Sequence, residues 1–131
     1  MAAQQRPLSP HLQIYRQGIT GTLSILHRAT GVFLGFAAFA VVVWLFAVAG
    51  DGEGLASFNA CAASPLGVAF LLAATASLSY HLLNGIRHLL WDIGWGFELP
   101  KAVASGWIVV ALAIVLTAVV AYLGFSAGGT P

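Results

Sequence analysis

The sequence predicts an all-α membrane protein, three transmembrane helices preceded by a short cytoplasmic N-terminal helical segment. Two observations carry this expectation. The first is composition: of 131 residues, 60% are hydrophobic and only 7% charged, whereas soluble domains carry about a quarter charged residues. Five Lys/Arg and four Asp/Glu cannot cover a water-exposed surface, so the outside of the chain has to be buried in something apolar. A bilayer is that solvent, in keeping with a mean hydropathy of +0.92. The second observation is arrangement. Long apolar runs occupy positions 29–49, 66–90 and 102–125, each enough for the ~20 residues that cross a hydrocarbon core of about 30 Å. Hydrocarbon offers the backbone no hydrogen-bond partner, so each run should be a helix.

The length suits a single anchor domain, 1–131. Positions 1–28 form a cytoplasmic segment and the approach to the first helix. Within Arg6-Pro7-Leu8-Ser9-Pro10-His11-Leu12-Gln13-Ile14-Tyr15, Ser9 and Pro10 read as the N-cap and first position of a short helix on the membrane surface. That helix is either a docking surface or a polar leader. The first span follows Arg28 and closes at the turn-like Gly50-Asp51-Gly52-Glu53-Gly54. It is longer than the roughly 7–15 residues of a signal-peptide core, so no cleavable signal is expected. The second span starts after Pro65, and the third runs from Pro100-Lys101 to Gly128-Gly129.

Charge orients the spans. Arg6, Arg16 and Arg28 precede the first, the first loop carries only Asp51 and Glu53, and Arg87 and Lys101 flank the second loop. By the positive-inside rule, the N-terminus and second loop face the cytoplasm. A net charge of +1 without a basic cluster gives no nucleic-acid partner. Cys61 is the only cysteine, which excludes an internal disulfide and a cysteine-held iron–sulfur cluster. The absence of a CxxCH motif excludes the usual covalent haem attachment.

Ionisable groups inside a span are costly and mark function. In the second span His81 and His88 are seven apart and fall within roughly 20° of one helix face, with Ser77, Gly85 and Asp92 on the same stripe. His81 lies about 15 Å inside the helix end near Trp91, deep in hydrocarbon. A neutral histidine at that depth suits the iron of a haem, with Gly85 making room for a flat macrocycle. It equally suits an interhelical hydrogen bond, with Gly85 permitting close packing. The two histidines cannot address one iron from opposite sides. His88 is expected to bond Asp92 or a ligand's polar edge, and Arg87 to reach toward the interface.

The second cluster, Ser24-Ile25-Leu26-His27-Arg28-Ala29-Thr30-Gly31, places Ser24, His27 and Arg28 at i, i+3 and i+4. They offer a hydroxyl, an imidazole and a guanidinium at the membrane lip. Such a group can hold a quinone carbonyl or haem carboxylates, or simply start a helix whose cation rests on lipid phosphate.

Three motifs in order, Arg6 to Tyr15, Ser24 to Gly31, and His81-(x)3-Gly85-Ile86-Arg87-His88-(x)2-Trp91-Asp92, resemble the larger cytochrome b membrane-anchor subunit of succinate dehydrogenase, respiratory complex II. The resemblance extends from Arg6 through the third span. It implies a complex in which a flavoprotein oxidises succinate, an iron–sulfur subunit relays electrons, and two small anchors hold both at the membrane. It further implies one haem b shared between the anchors, with His81 as an axial ligand and the other ligand on the second anchor. Ser24 and Arg28 fall on the family's ubiquinone contacts, and His27 and Arg28 where it neutralises haem propionates. The implied location is the bacterial inner (cytoplasmic) membrane, or the mitochondrial inner membrane in a eukaryote. Two other readings stand beside it: a haem-less structural anchor, and the equivalent anchor of a fumarate reductase.

Overall fold

The computed structural model of the chain describes residues 17–50 and 52–128. The short helix expected at Ser9-Pro10 lies outside them. Four helices follow in order: α1 (Ile19–Ala49), α2 (Glu53–Ala63), α3 (Pro65–Asp92) and α4 (Leu99–Gly128), with no strand among the described residues. Three of the four, α1, α3 and α4, are long and apolar enough to cross a membrane.

The bundle is inside out relative to a soluble one. Phe36, Phe39 and Phe46 point outward, each about 70% exposed, whereas Ser79, Asn84 and Arg87 are buried. The buried apolar positions are mostly small, Ala37, Ala102 and Ala113 beside Leu23 and Val109. Lipid is as apolar as leucine, so helices associate by close approach of small residues and by buried polar contacts.

The helix α1 starts ten residues before the expected span. Nothing between Ile19 and Arg28 interrupts a helix, and Gly18 supplies an extended N-cap. Its 31 residues amount to about 46 Å, longer than the hydrocarbon core, so the helix tilts or projects beyond it. Ser24 and His27 are therefore held on a rigid rod rather than on a flexible approach.

The first loop contains α2, which sequence patterning did not anticipate. Its 11 residues span only about 16 Å, too short to cross, and it packs against α1 and α3. Gly52 turns the chain into it with φ 95°, and Glu53 sits in the first turn, where a carboxylate favours the helix dipole. The junction with α3 is a capped corner. The Ser64 hydroxyl donates to the Cys61 carbonyl (2.6 Å) and accepts from the Gly67 amide (3.1 Å), and Pro65 opens α3. A Cβ at Gly67 would collide with the Cys61 carbonyl, so the corner requires glycine.

α3 is the central helix, packed on α1 along one side and on α4 along another. The α3–α4 turn passes through Gly94 and Gly96, both with φ 84°, and the Trp91 indole N–H closes it on the Gly96 carbonyl (3.2 Å). Lys101 pairs with Glu98 at 3.0 Å in the first turn of α4. The Glu98 carboxyl is held below its ordinary range, first by a backbone hydrogen bond and then by Lys101. The start of α1, the end of α3 and the start of α4 share one end of the bundle, and every candidate site residue lies toward that end.

Candidate functional site

Three imidazoles from two helices meet between α1 and α3. His27 and His81 stack face to face, with ring centroids 3.9 Å apart and planes 11° from parallel. His88 tilts against the other side of His27 at 5.2 Å and meets Trp91 edge-on at the same distance. His27 is thus the middle member of the group. Spacing along α3 correctly puts His81 and His88 on one face, but it cannot show that α1 fills the gap between them. Of the two partners expected for His88, Asp92 makes no hydrogen bond with it; within the chain its contacts are aromatic, to His27 and Trp91.

His81 is gripped by a single turn of α1. Its Nδ1 lies 3.1 Å from the His27 carbonyl and 3.2 Å from the Thr30 hydroxyl. The Thr30 hydroxyl faces the Leu26 carbonyl at 2.8 Å and the His27 carbonyl at 3.0 Å, to which it donates. A carbonyl only accepts, so its contact favours the tautomer with the proton on Nδ1, in which Nε2 keeps the lone pair. Gly31 makes the fit possible, since a Cβ there would stand 2.9 Å from His81 Cε1. One turn earlier, the Tyr80 hydroxyl donates to the Leu23 carbonyl (2.6 Å) and pins α3 to α1. At Gly85 a Cβ would make only ordinary contact, 3.8 Å from His27 Cε1.

Of the cluster that opens α1, Ser24 and His27 are half-buried, whereas Arg28 is exposed and bonds none of the described residues. The i, i+3, i+4 spacing therefore yields two inward groups and an outward cation. The His27 Nδ1 is buried with no partner among the described residues. A buried polar atom without a partner asks for an explanation, and a bound group or another chain beside it would supply one.

Arg87 is not the interfacial cation that the sequence suggests. It is 4% exposed and turned into the α3–α4 seam. It donates from Nε to the Ser105 hydroxyl (3.0 Å) and from its terminal nitrogens to the Ala102 carbonyl (2.7 Å) and the Asn84 amide oxygen (3.4 Å). Its guanidinium also lies 4.0 Å over the Trp91 ring. The reason is local: α4 presents the Ser105 hydroxyl and the Ala102 carbonyl within reach, and the carbonyl has a second lone pair to share. Sequence reasoning also gave no part to Thr30 or Asn84. Thr30 was legible as the residue three on from His27, but Asn84 carries no signal without knowing that α4 covers it.

The fold and this cluster define a class, a polytopic membrane protein with an imidazole site built into its helix contacts. Residues 2–120 match the family described as succinate dehydrogenase/fumarate reductase transmembrane subunit. The chain is 46% identical over 113 residues to the succinate dehydrogenase cytochrome b556 subunit of Rickettsia felis, covering 86% of this chain and 88% of that one. It is 38% identical to the cytochrome b556 subunit of Paracoccus denitrificans, over 85% of each chain. It is also 39% identical to the mitochondrial cytochrome b560 subunit of Mus musculus, over 86% of this chain and 68% of that one. The chain belongs to the family of succinate dehydrogenase/fumarate reductase transmembrane subunits. It is a multi-pass membrane-anchor subunit that works as part of a larger succinate dehydrogenase complex.

Proposed function

We propose that this subunit holds one haem b through His81 and helps to form the ubiquinone-reduction site, while anchoring an iron–sulfur subunit and a flavoprotein subunit to the membrane. The observation that carries the reading is the 3.1 Å contact of His81 Nδ1 with the His27 carbonyl: it favours a proton on Nδ1 and leaves Nε2 as the donor nitrogen inside a membrane-spanning helix. That is the donor set a haem iron takes. The His27 Nδ1, without a partner among the described residues, and the room left beside Gly85 also fit a group seated beside these rings. The cytochrome b names of the relatives point the same way.

Bound there, the haem supplies a one-electron carrier whose potential its axial ligands and surroundings set. His27 cannot be its second ligand. Imidazole lone pairs lie in the ring plane, and two rings stacked at 11° do not point theirs at one iron between them. In this reading the second ligand belongs to another chain, the second small anchor. In the same reading His27 and Arg28 neutralise the propionates. Ser24 offers a hydroxyl and Arg28 a fixed cation where negative charge develops on the oxygens of a quinone that takes up two electrons and two protons. The charge asymmetry puts the N-terminus and the α3–α4 turn on the cytoplasmic side of the bacterial inner membrane, or the equivalent side of the mitochondrial one.

Two variants test the two halves. His81→Ala should deplete extractable haem from the purified complex. Arg28→Ala should lower succinate–quinone turnover while leaving succinate oxidation by a soluble acceptor intact; an equal fall in both would make Arg28 an assembly residue.

A further inference from the structure

We infer that Thr30 is a positioning residue for His81, and that its hydroxyl sets the electron-donating strength of the ligand nitrogen. The inference rests on the haem-ligand reading of His81 and deepens it. Thr30 Oγ1 lies 3.2 Å from His81 Nδ1, across the α1–α3 contact. The Thr30 proton is directed back along its own helix, to the Leu26 carbonyl at 2.8 Å or the His27 carbonyl at 3.0 Å. With that proton turned away, an oxygen lone pair faces His81. With the proton on Nδ1, two acceptors lie within hydrogen-bond reach of it, the Thr30 hydroxyl and the His27 carbonyl.

Two acceptors on one N–H draw the proton outward and give the ring more imidazolate character. The opposite nitrogen becomes the stronger donor, a role that partners behind a metal-bound histidine commonly fulfil. A stronger axial donor favours ferric over ferrous iron, so the hydroxyl lowers the haem potential. The two acceptors differ in kind. The His27 carbonyl belongs to the backbone and persists in any substitution at position 27, whereas the Thr30 hydroxyl is the adjustable one. Gly31, one residue on, keeps the ring close enough for both bonds, since a Cβ there would press on Cε1.

The test uses the full complex in membranes and compares Thr30→Val, which keeps the branched shape without the acceptor, with Thr30→Ser, which keeps the hydroxyl. Haem content is read from the reduced-minus-oxidised spectrum and the midpoint potential from a redox titration. Thr30→Val should retain haem with a raised potential, and Thr30→Ser should return toward the wild-type value. A Thr30→Val potential equal to wild type would overturn the inference. Should Thr30→Val fail to assemble, Thr30→Ala replaces it, and equal potentials for the alanine and serine variants would overturn the inference as well. His81→Ala separates the two levels: haem retained there defeats the ligand reading itself, whereas haem lost there with an unresponsive Thr30 defeats only the role of Thr30.

Discussion

The His27 and His81 rings lie 3.9 Å apart and 11° from parallel, one on each of two membrane-spanning helices. Stacked rings contribute about 0.5–1.5 kcal/mol beyond the area they bury. The stack therefore steadies the one imidazole whose free nitrogen matters. His27→Ala should weaken haem retention by roughly three- to tenfold, without abolishing it, because the carbonyl of residue 27 still fixes the His81 tautomer. His27→Phe restores the stack and should retain more haem than His27→Ala. Equal retention, measured as haem per complex after detergent washing, would show that the stack contributes nothing.

The glycines on the two helices should respond differently. A Cβ at Gly31 meets His81 Cε1 at 2.9 Å, so Gly31→Val should displace the ring and alter or remove the haem spectrum. At Gly85 a Cβ finds only ordinary contact within this chain, at 3.8 Å. Gly85→Ala should therefore leave assembly intact, and any loss of haem it causes would report a macrocycle lying over that glycine. Subunit content by gel and haem content by spectrum, taken together, check both variants.

Arg87 is expected to govern stability rather than chemistry. Its guanidinium joins Ser105, Ala102 and Asn84 in one geometry and stacks on Trp91. A lysine cannot reproduce a planar fork, and an unmet buried acceptor costs about 1–3 kcal/mol. Arg87→Lys should lower the thermal inactivation temperature of the solubilised complex, and Arg87→Leu should lower it further. An unchanged profile for both would show that the α3–α4 seam does not depend on the clamp.

How much of this was legible depended on where each partner sits. The three spans were, because hydrocarbon forces every backbone group into a helix and composition reveals which runs must comply. The helix α2 was not: Glu53–Ala63 has neither the length of a span nor a sustained apolar stripe, and its place depends on the Gly52 turn and on packing against α1 and α3. Within α3, the 3.6-residue period placed His81 and His88 on one face. The arrival of His27 between them depends on the rotation of α1 against α3, which no single-helix periodicity encodes. Arg87 was misread for a related reason. Its strongest acceptor is the Ala102 carbonyl, and a backbone carbonyl leaves no mark in a sequence.

The reduced-minus-oxidised absorption spectrum of membranes carrying wild-type or His81→Ala complex addresses the central claim most directly. Imidazole added to the variant serves as a free substitute for the missing ring. The account predicts a b-type band in wild type, its loss in His81→Ala with the subunits still assembled, and partial return with imidazole. An undiminished band in His81→Ala would contradict it.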